Sequence, residues 1–137
     1  MKRLLLYLMI LLPVLSGCAG SPALTKPSLG QEFSLAIGQS ATIAGEDLTI
    51  GFKDVVEDSR CPKNVTCIWA GRVSCIIDVT QAGKTEQTVL TEPGLTGGTV
   101  PEEYRNYTFA FRVEPYPDAG KQIAKSDYRL FLTVNKR

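Results

Sequence analysis

The chain of 137 residues contains no histidine, and both of its methionines lie within the first seventeen residues. The absence of histidine excludes Ser-His-Asp and Cys-His nucleophilic catalysis and removes the most frequent zinc and copper ligand. Without methionine after residue 17, thioether copper sites are excluded too. An excess of charge is also lacking: Lys2 and Arg3 account for two of the fifteen basic residues, which leaves thirteen against fourteen acidic residues. We therefore expect no nucleic-acid partner, since neutralising phosphates requires an excess of Lys and Arg.

The first eighteen residues have the features of an export signal that ends in a lipid-attachment site. Met1 is followed by two basic residues, and residues 4–15 form an apolar run interrupted only by Pro13. Such a run is too short to cross a bilayer, which needs roughly 20 helical residues, so it predicts a signal peptide. It ends in Leu-Ser-Gly-Cys, which resembles the lipobox of bacterial lipoproteins.

The lipobox resemblance implies cleavage before Cys18 and attachment of acyl chains, such as palmitate, to that residue. Two or more chains give stable anchoring, so we expect a membrane-attached protein of the cell envelope, outside the cytoplasm. Ala19 rather than aspartate follows Cys18, which favours the outer membrane if the host has two membranes. The alternative is an ordinary secretory signal that leaves Cys18 as a free thiol.

Composition divides the chain into three parts. Residues 1–17 are the predicted signal peptide, and residues 18–30 carry the lipidated Cys18 on a flexible tether rich in Gly, Pro, Ser and Ala. Residues 31–137 are enough for one small domain, which we expect to be monomeric.

The domain shows the two-residue period of β-strands and no helical period over a dozen residues. Apolar side chains alternate with other residues in 33–37, 48–52, 73–79, 107–113 and 128–134. The alternation breaks at Val55–Val56, which predicts a bulge or a strand end. Seven to eight short strands with turns between them predict a single antiparallel β-sandwich, with a small β-barrel as the alternative. Two long connections, 91–106 and 114–127, are candidate binding surfaces or ordinary surface loops.

The most distinctive stretch, residues 58–71, reads DSRCPKNVTCIWAG. In an exported protein its two cysteines invite pairing, and Cys61 and Cys67 enclose a polar loop that closes easily. Cys75 lies on the predicted core face of its strand, where a free cysteine acts as a small apolar residue. We favour the Cys61–Cys67 disulfide over any pair that uses Cys75. A redox role has less support because the spacing is not C-x-x-C.

The cysteine segment resembles the D-S-R-C-P-x(4)-C-x-W-A-G signature of small uncharacterised bacterial exported proteins and lipoproteins. The sequences GQS at 38–40 and PYP at 115–117 are similar to theirs as well. The resemblance covers most of residues 33–135, and members commonly carry an aliphatic residue where this chain has Cys75. It therefore implies that Cys75 is unpaired, but it implies no activity.

Three residues of this segment form the candidate binding surface: Asp58, Arg60 and Trp69. Asp58 and Arg60 are expected to pair with each other or to cap the loop. Trp69 is expected to fill the core against the disulfide, or alternatively to anchor a partner, since Trp is enriched in binding hot spots. Calcium ligation by Asp54, Glu57 and Asp58 is less expected than a solvated acidic edge, because the spacing of a dedicated calcium loop is missing.

The sequence thus favours a non-catalytic, envelope-associated binding module without cofactor or metal. Its partner, besides the membrane, is an envelope protein or a small ligand. One alternative is an inhibitor of secreted proteases or lysozymes. The other is a histidine-free hydrolase in which residues 102–103 act with Glu92 or Glu114, since two carboxylates suffice for glycoside hydrolysis.

Overall fold

A computed structural model describes residues 25–95 and 98–137. The predicted signal peptide, Cys18 and the first part of the predicted tether lie outside the described residues. Within them the chain forms eight strands: β1 Glu32–Ala36, β2 Ser40–Thr42, β3 Leu48–Asp58, β4 Arg72–Gln81, β5 Lys84–Pro93, β6 Val100–Tyr104, β7 Tyr107–Glu114 and β8 Arg129–Lys136. A single short 3-10 turn at Lys125–Asp127 is the other regular element in these ranges, and no helix in them is long and apolar enough to cross a membrane.

The strands form two antiparallel four-stranded sheets, in the orders β1-β8-β7-β6 and β2-β3-β4-β5. Both sheets contribute one apolar face to a common core, as expected for sheets packed face to face. The described residues therefore form the predicted β-sandwich and not a closed barrel.

The core follows the two-residue period of the sequence. In β4 the side chains of Val73, Cys75, Ile77 and Val79 have no exposed surface, and alternate side chains of β7 and β8 are buried in the same way. The predicted irregularity of β3 is confirmed, since its pairing with β4 shifts register twice between Phe52 and Glu57. Alternate residues of these strands therefore build the common core of the two sheets.

Two segments differ from the sequence expectation. Residues 91–106 are not one long loop, because β5 continues to Pro93 and β6 pairs with β7 as an edge strand. Residues 25–30, which were predicted to belong to the tether, contact the domain. Thr25 forms a parallel bridge with Ala41, and the amide of Gly30 donates to the carbonyl of Val134 over 2.8 Å.

The direction of the strands determines at which end of the sandwich each connecting segment lies. The short turns after β4 and β6 lie at one end, where Gln81 pairs with Lys84 and Tyr104 pairs with Tyr107. The segments 59–71, 94–95, 98–99 and 115–128 follow or precede strand ends at the other end. We call this second end the loop end, and it holds the whole cysteine segment.

Candidate functional site

The base of loop 59–71 is a tight backbone ladder that continues the β3–β4 pairing. The amide of Ser59 donates to the carbonyl of Arg72 over 2.8 Å, and the amide of Cys61 donates to the carbonyl of Ala70 over 2.9 Å. Gly71 adopts a φ of +69°, and a Cβ built there would lie 1.8 Å from the carbonyl oxygen of Ser59. Only glycine fits where the backbone of residue 71 passes that of Ser59, which explains why the WAG sequence ends in glycine.

The next loop is attached to this base. The amide of Gly94 donates to the carbonyl of Gly71 over 2.8 Å, and a Cβ on Gly94 would lie 1.9 Å from the carbonyl oxygen of Ala70. Two glycines therefore allow the backbone of loop 59–71 to touch the segment that begins at Gly94. This contact places Leu95 beside the cysteine segment.

The predicted disulfide is confirmed: Cys61 and Cys67 are bonded, with their Cα atoms 5.9 Å apart. Cys61 is buried and Cys67 is exposed, so the bridge joins the interior to the outer part of the loop. Cys75 is free and buried, as the core-face assignment predicted. Burial, and secondarily the charge of Glu92, raises the pKa of its thiol to about 12, so Cys75 stays protonated and inert.

Arg60 is the central polar residue of the loop end. Its side chain has no exposed surface and makes a bidentate ion pair with Asp58, with Nε to Oδ1 at 2.8 Å and Nη2 to Oδ2 at 2.7 Å. Arg60 also donates to the carbonyls of Val113, at 2.7 Å, and Pro115, at 2.9 Å. Because Asp58 belongs to one sheet and Val113 to the other, this guanidinium joins the two layers.

The charges around Arg60 are balanced by their neighbours. Burial opposes the positive charge, but the hydrogen bonds and negative charge of Asp58 outweigh it and raise the pKa of Arg60. The hydroxyl of Tyr128 donates to Asp58 over 3.0 Å. Burial and this hydrogen bond raise the pKa of Tyr128 to about 12. Asp58 and Arg60 were expected to pair, and they do, but the buried Arg60 does not belong to a binding surface.

Glu92, which the sequence offered only as a possible hydrolase residue, is a second buried charge near the loop end. One of its carboxylate oxygens accepts the amide of Val113 over 2.7 Å. Burial raises the pKa of Glu92 above its usual range; this hydrogen bond and the charge of Arg60 oppose the shift, and the charge of Glu114 adds to it. Glu92 thus holds β5 against β7 across the sandwich.

Tyr116 connects the third loop to the other two. Its ring centroid lies 5.0 Å from the guanidinium carbon of Arg60 and 5.8 Å from the ammonium of Lys63. Its hydroxyl accepts the amide of Leu95 over 3.3 Å. The amide of Lys63 donates to the carbonyl of Pro117 over 3.0 Å. All three loops are therefore fixed to one another by backbone and side-chain contacts.

Trp69 does not fill the core, contrary to the expectation from the sequence. Its surface is 81% exposed, and that of its neighbour Ile68 is 91% exposed. Arg60, and not Trp69, is the large side chain of this segment that is buried, with the ring of Tyr116 next to it. The outer part of loop 59–71 therefore points its apolar side chains into solvent.

Four exposed large apolar side chains belong to these two connected segments. Val65 and Leu95, exposed by 46% and 67%, border a shallow groove of about 300 Å³ beside the disulfide. We call Val65, Ile68, Trp69 and Leu95 the apolar loop surface. Among the described residues, the other large apolar side chains with comparable exposure are Val56 and Val89, which lie on the sheet formed by β2 to β5.

The three acidic residues that were considered as calcium ligands are paired with basic side chains. Asp54 pairs with Lys125 and Glu57 pairs with Arg72, besides the pair of Asp58 described above. No group of three or more Cys, Asp or Glu side chains in residues 25–95 and 98–137 is placed to hold a metal ion.

The predicted carboxylate pairs for a hydrolase do not come together. Glu102 and Glu103 pair with Phe109 and Thr108 of β7, four and five residues from the Val113 that Glu92 contacts. At about 3.3 Å per residue, this places them roughly 13 Å or more along the strand from Glu92. Glu114 does lie close enough to Glu92 to affect its pKa.

Comparison of the chain with protein-family models, curated proteins and solved structures found no match. The function of the loop end must therefore be inferred from its own chemistry.

Proposed function

We propose that this protein is a lipid-anchored, extracytoplasmic binding module without catalytic activity, and that it contacts a component of the cell envelope through the apolar loop surface. The observation that carries the proposal is the exposure of Ile68 and Trp69, two consecutive large apolar residues at the loop end. Clustered apolar exposure of this kind is typical of interaction sites, whereas single exposed apolar residues are ordinary.

The energetics of the loop end support this function. Covering the exposed part of Trp69 or Ile68 contributes about 1.5–3 kcal/mol each. The disulfide, the backbone ladder and the contacts of Arg60 already fix the loop, so little conformational entropy is lost when a partner binds. A stiff loop with an aromatic tip is therefore suited to recognition.

The proposed location outside the cytoplasm, attached to a membrane, is supported by the N-terminal sequence. The lipobox-like ending at Cys18 supports lipid attachment, and the Cys61–Cys67 disulfide agrees with an oxidising compartment. Metabolic labelling with a palmitate analogue tests the attachment. The label should enter the protein and should be lost in Cys18→Ala; a label that persists in this variant would contradict attachment at Cys18.

Site-specific photo-crosslinking in intact cells tests the binding function. A photoreactive amino acid in place of Trp69 should give a discrete adduct with an envelope component, which gel shift detects for a protein and mass spectrometry detects for a lipid. The matched control is the same amino acid in place of Gln87, which is exposed on β5 away from the loop end. Equal adducts at both positions, or none at position 69, would refute the proposal. An adduct with a secreted protease or lysozyme would instead identify an inhibitor.

A further inference from the structure

Strand β5 forms one edge of its sheet, because it pairs with β4 on one side only. The two strands are joined by the two-residue turn Ala82–Gly83, in which both residues have positive φ. In such a hairpin the residues that flank the turn form a hydrogen-bonded pair, and so does every second residue after them. The intervening residues direct their backbone groups away from β4. We call four of them, each with an amide to donate, the open edge: Thr85, Gln87, Val89 and Thr91.

The open edge lacks the features that prevent edge strands from pairing with another chain. Natural edges are kept short or carry bulges, prolines or charges. Between Thr85 and Thr91 the pairing with β4 has no register shift, the sequence has no proline, and the four edge residues are exposed and uncharged. Glu86 lies on the other face of the strand, where Tyr104 and Arg105 donate to it. Within the described part of the chain, no backbone group of another segment bonds to the open edge.

The other three edges of the two sheets are short, and each is covered or capped. Strand β2 has three residues, and the amide of Thr42 donates to the carbonyl of Thr25, which lies alongside it. Strand β1 has five residues, and the amide of Ala36 donates to the side chain of Gln39 over 2.9 Å. Strand β6 also has five residues, and its Pro101 has no amide to donate. Of these edges, β5 is therefore the one suited to the addition of a further strand.

The open edge is complementary to itself. When two β5 strands run antiparallel about a two-fold axis at Thr88, Thr85 pairs with Thr91 of the second copy. In the same register Gln87 pairs with Val89 of the second copy. Every outward amide and carbonyl of the open edge is then bonded, because the two residues of each such pair exchange both hydrogen bonds. An axis one residue earlier in the strand leaves Thr91 without a partner.

The charges of β5 favour the same register. With the axis at Thr88, Lys84 lies opposite Glu92 of the second copy, and no like charges lie opposite each other. An axis at Val89 would instead place two glutamates opposite each other. Directly opposite residues of unlike charge stabilise a strand pair, and those of like charge destabilise it. A second copy of this chain therefore matches the open edge in length and in charge.

We infer that the open edge binds a second copy of this chain, so that the sheets β2-β3-β4-β5 of two molecules join into one continuous sheet. The two-fold contact uses the same surface of both copies, which is the commonest arrangement in dimers. It does not involve the apolar loop surface, so the inference is independent of the proposed function. The expectation of a monomer rested on the size of the domain alone, which does not reveal an open edge.

Cysteine cross-linking of the full chain in mild detergent tests both the dimer and its register. Thr88→Cys should give a disulfide-linked dimer under oxidising conditions. Residue 88 would face its own counterpart in a non-hydrogen-bonded pair, where Cα atoms about 4.5 Å apart suit a disulfide. Gln87→Cys is the matched control, because its counterpart is displaced by roughly 7 Å along the strand, beyond the reach of a disulfide. We expect at least a tenfold higher yield of linked dimer for Thr88→Cys, with the unsubstituted chain giving the background.

A second variant tests the contact without a new cysteine. Gln87→Lys combined with Val89→Lys places lysines opposite lysines across the two-fold axis and should raise the dissociation constant of the dimer about tenfold, as measured by sedimentation. Both positions are exposed, so the strand signal in circular dichroism should be retained. Ser34→Lys combined with Val56→Lys adds the same charge at exposed positions of other strands and should leave the dissociation constant unchanged.

A monomeric mass of the unsubstituted chain at every protein concentration would overturn the inference. Equal cross-linking of Thr88→Cys and Gln87→Cys would refute the two-fold register. A disulfide of Thr88→Cys with a different protein in cells would show that another strand occupies the edge and would refute the second copy. The photoreactive control at position 87 described above should likewise form adducts only with this chain, which mass spectrometry distinguishes from an envelope component.

Discussion

Replacing Arg60 by methionine tests whether the loop end depends on one buried cation. The variant keeps most of the side-chain volume but removes the ion pair with Asp58 and the hydrogen bonds to the carbonyls of Val113 and Pro115. Asp58, whose side chain is 9% exposed, then stays nearly buried without a counter-charge. Breaking a buried pair from one side costs about 3–5 kcal/mol.

The free energy of unfolding is best measured by urea denaturation followed by far-UV circular dichroism, because the exposed Trp69 reports little on the core. A small domain has about 5–15 kcal/mol of stability in total, so Arg60→Met should lower the midpoint strongly or unfold the protein. The double variant with Asp58→Ala should cost less than the sum of the single variants by more than about 1 kcal/mol, because the two residues interact directly.

Arg72→Met is the matched control for this prediction. Arg72 pairs with Glu57 at 3.0 Å near the base of the same loop, but the two side chains are 59% and 39% exposed. An exposed pair contributes at most about 1 kcal/mol, since water and salt screen it. If Arg60→Met cost no more than Arg72→Met, the buried guanidinium would not join the sheets in the way that the contacts imply.

Three further predictions concern the same end of the molecule. Gly71→Ala should lower the melting temperature far more than Gly83→Ala. Both glycines have φ near +70°, but of the two only position 71 lacks space for a Cβ. Equal effects would contradict the close approach of Gly71 to the backbone of Ser59. Reducing the Cys61–Cys67 disulfide should cost about 2 kcal/mol in the chain-entropy model and leave the strand signal in circular dichroism, and loss of that signal would refute a local role. Glu92→Gln should flatten the pH dependence of the free energy of unfolding. The pKa of Glu92 is raised in the folded state, so its contribution to stability is present below pH 4.5 and is lost as the pH rises through the folded-state pKa. A urea midpoint that changes with pH in the same way in both proteins would contradict this.

Local sequence patterns predicted those parts of the fold that local forces determine. The alternation in β4 and β7 marks which side chains face the core, because a strand with one buried face needs apolar residues at every second position. The Cys61–Cys67 bridge was also predictable from local sequence, since its two cysteines are only six positions apart. The interruption at Val55 indicated the register shifts of β3.

The sequence of edge strand β6 shows no alternation of apolar and polar residues. Val100 is half-buried, while Pro101, Glu102 and Glu103 are exposed. A strand that pairs on one side only and buries little has no need for alternating apolar residues, and proline is tolerated at an edge. The sequence of β6 therefore reads as a loop, although its backbone completes a ladder with β7.

The roles of Arg60 and Trp69 depend on contacts that are distant in sequence. The carbonyl acceptors of Arg60 lie 53 and 55 residues further along the chain, so no local pattern indicates that this arginine is buried. Trp69 is exposed although tryptophan is usually well buried, and no local pattern in the sequence indicates this either.

The cysteine segment combines two tasks in fourteen residues. Its beginning, with the buried Arg60 and the half-buried Asp58, joins the two sheets. Its end, Gly71, lies so close to the backbone of Ser59 that no side chain fits there. Between them, Ile68 and Trp69 contribute almost nothing to the core because they are surrounded by solvent. Substitutions at the buried positions should therefore change stability, whereas those at the tip change what the domain binds. That separation requires a rigid base, since exposed apolar side chains on a flexible loop would collapse onto the nearest apolar surface and lose the contact area that a partner needs.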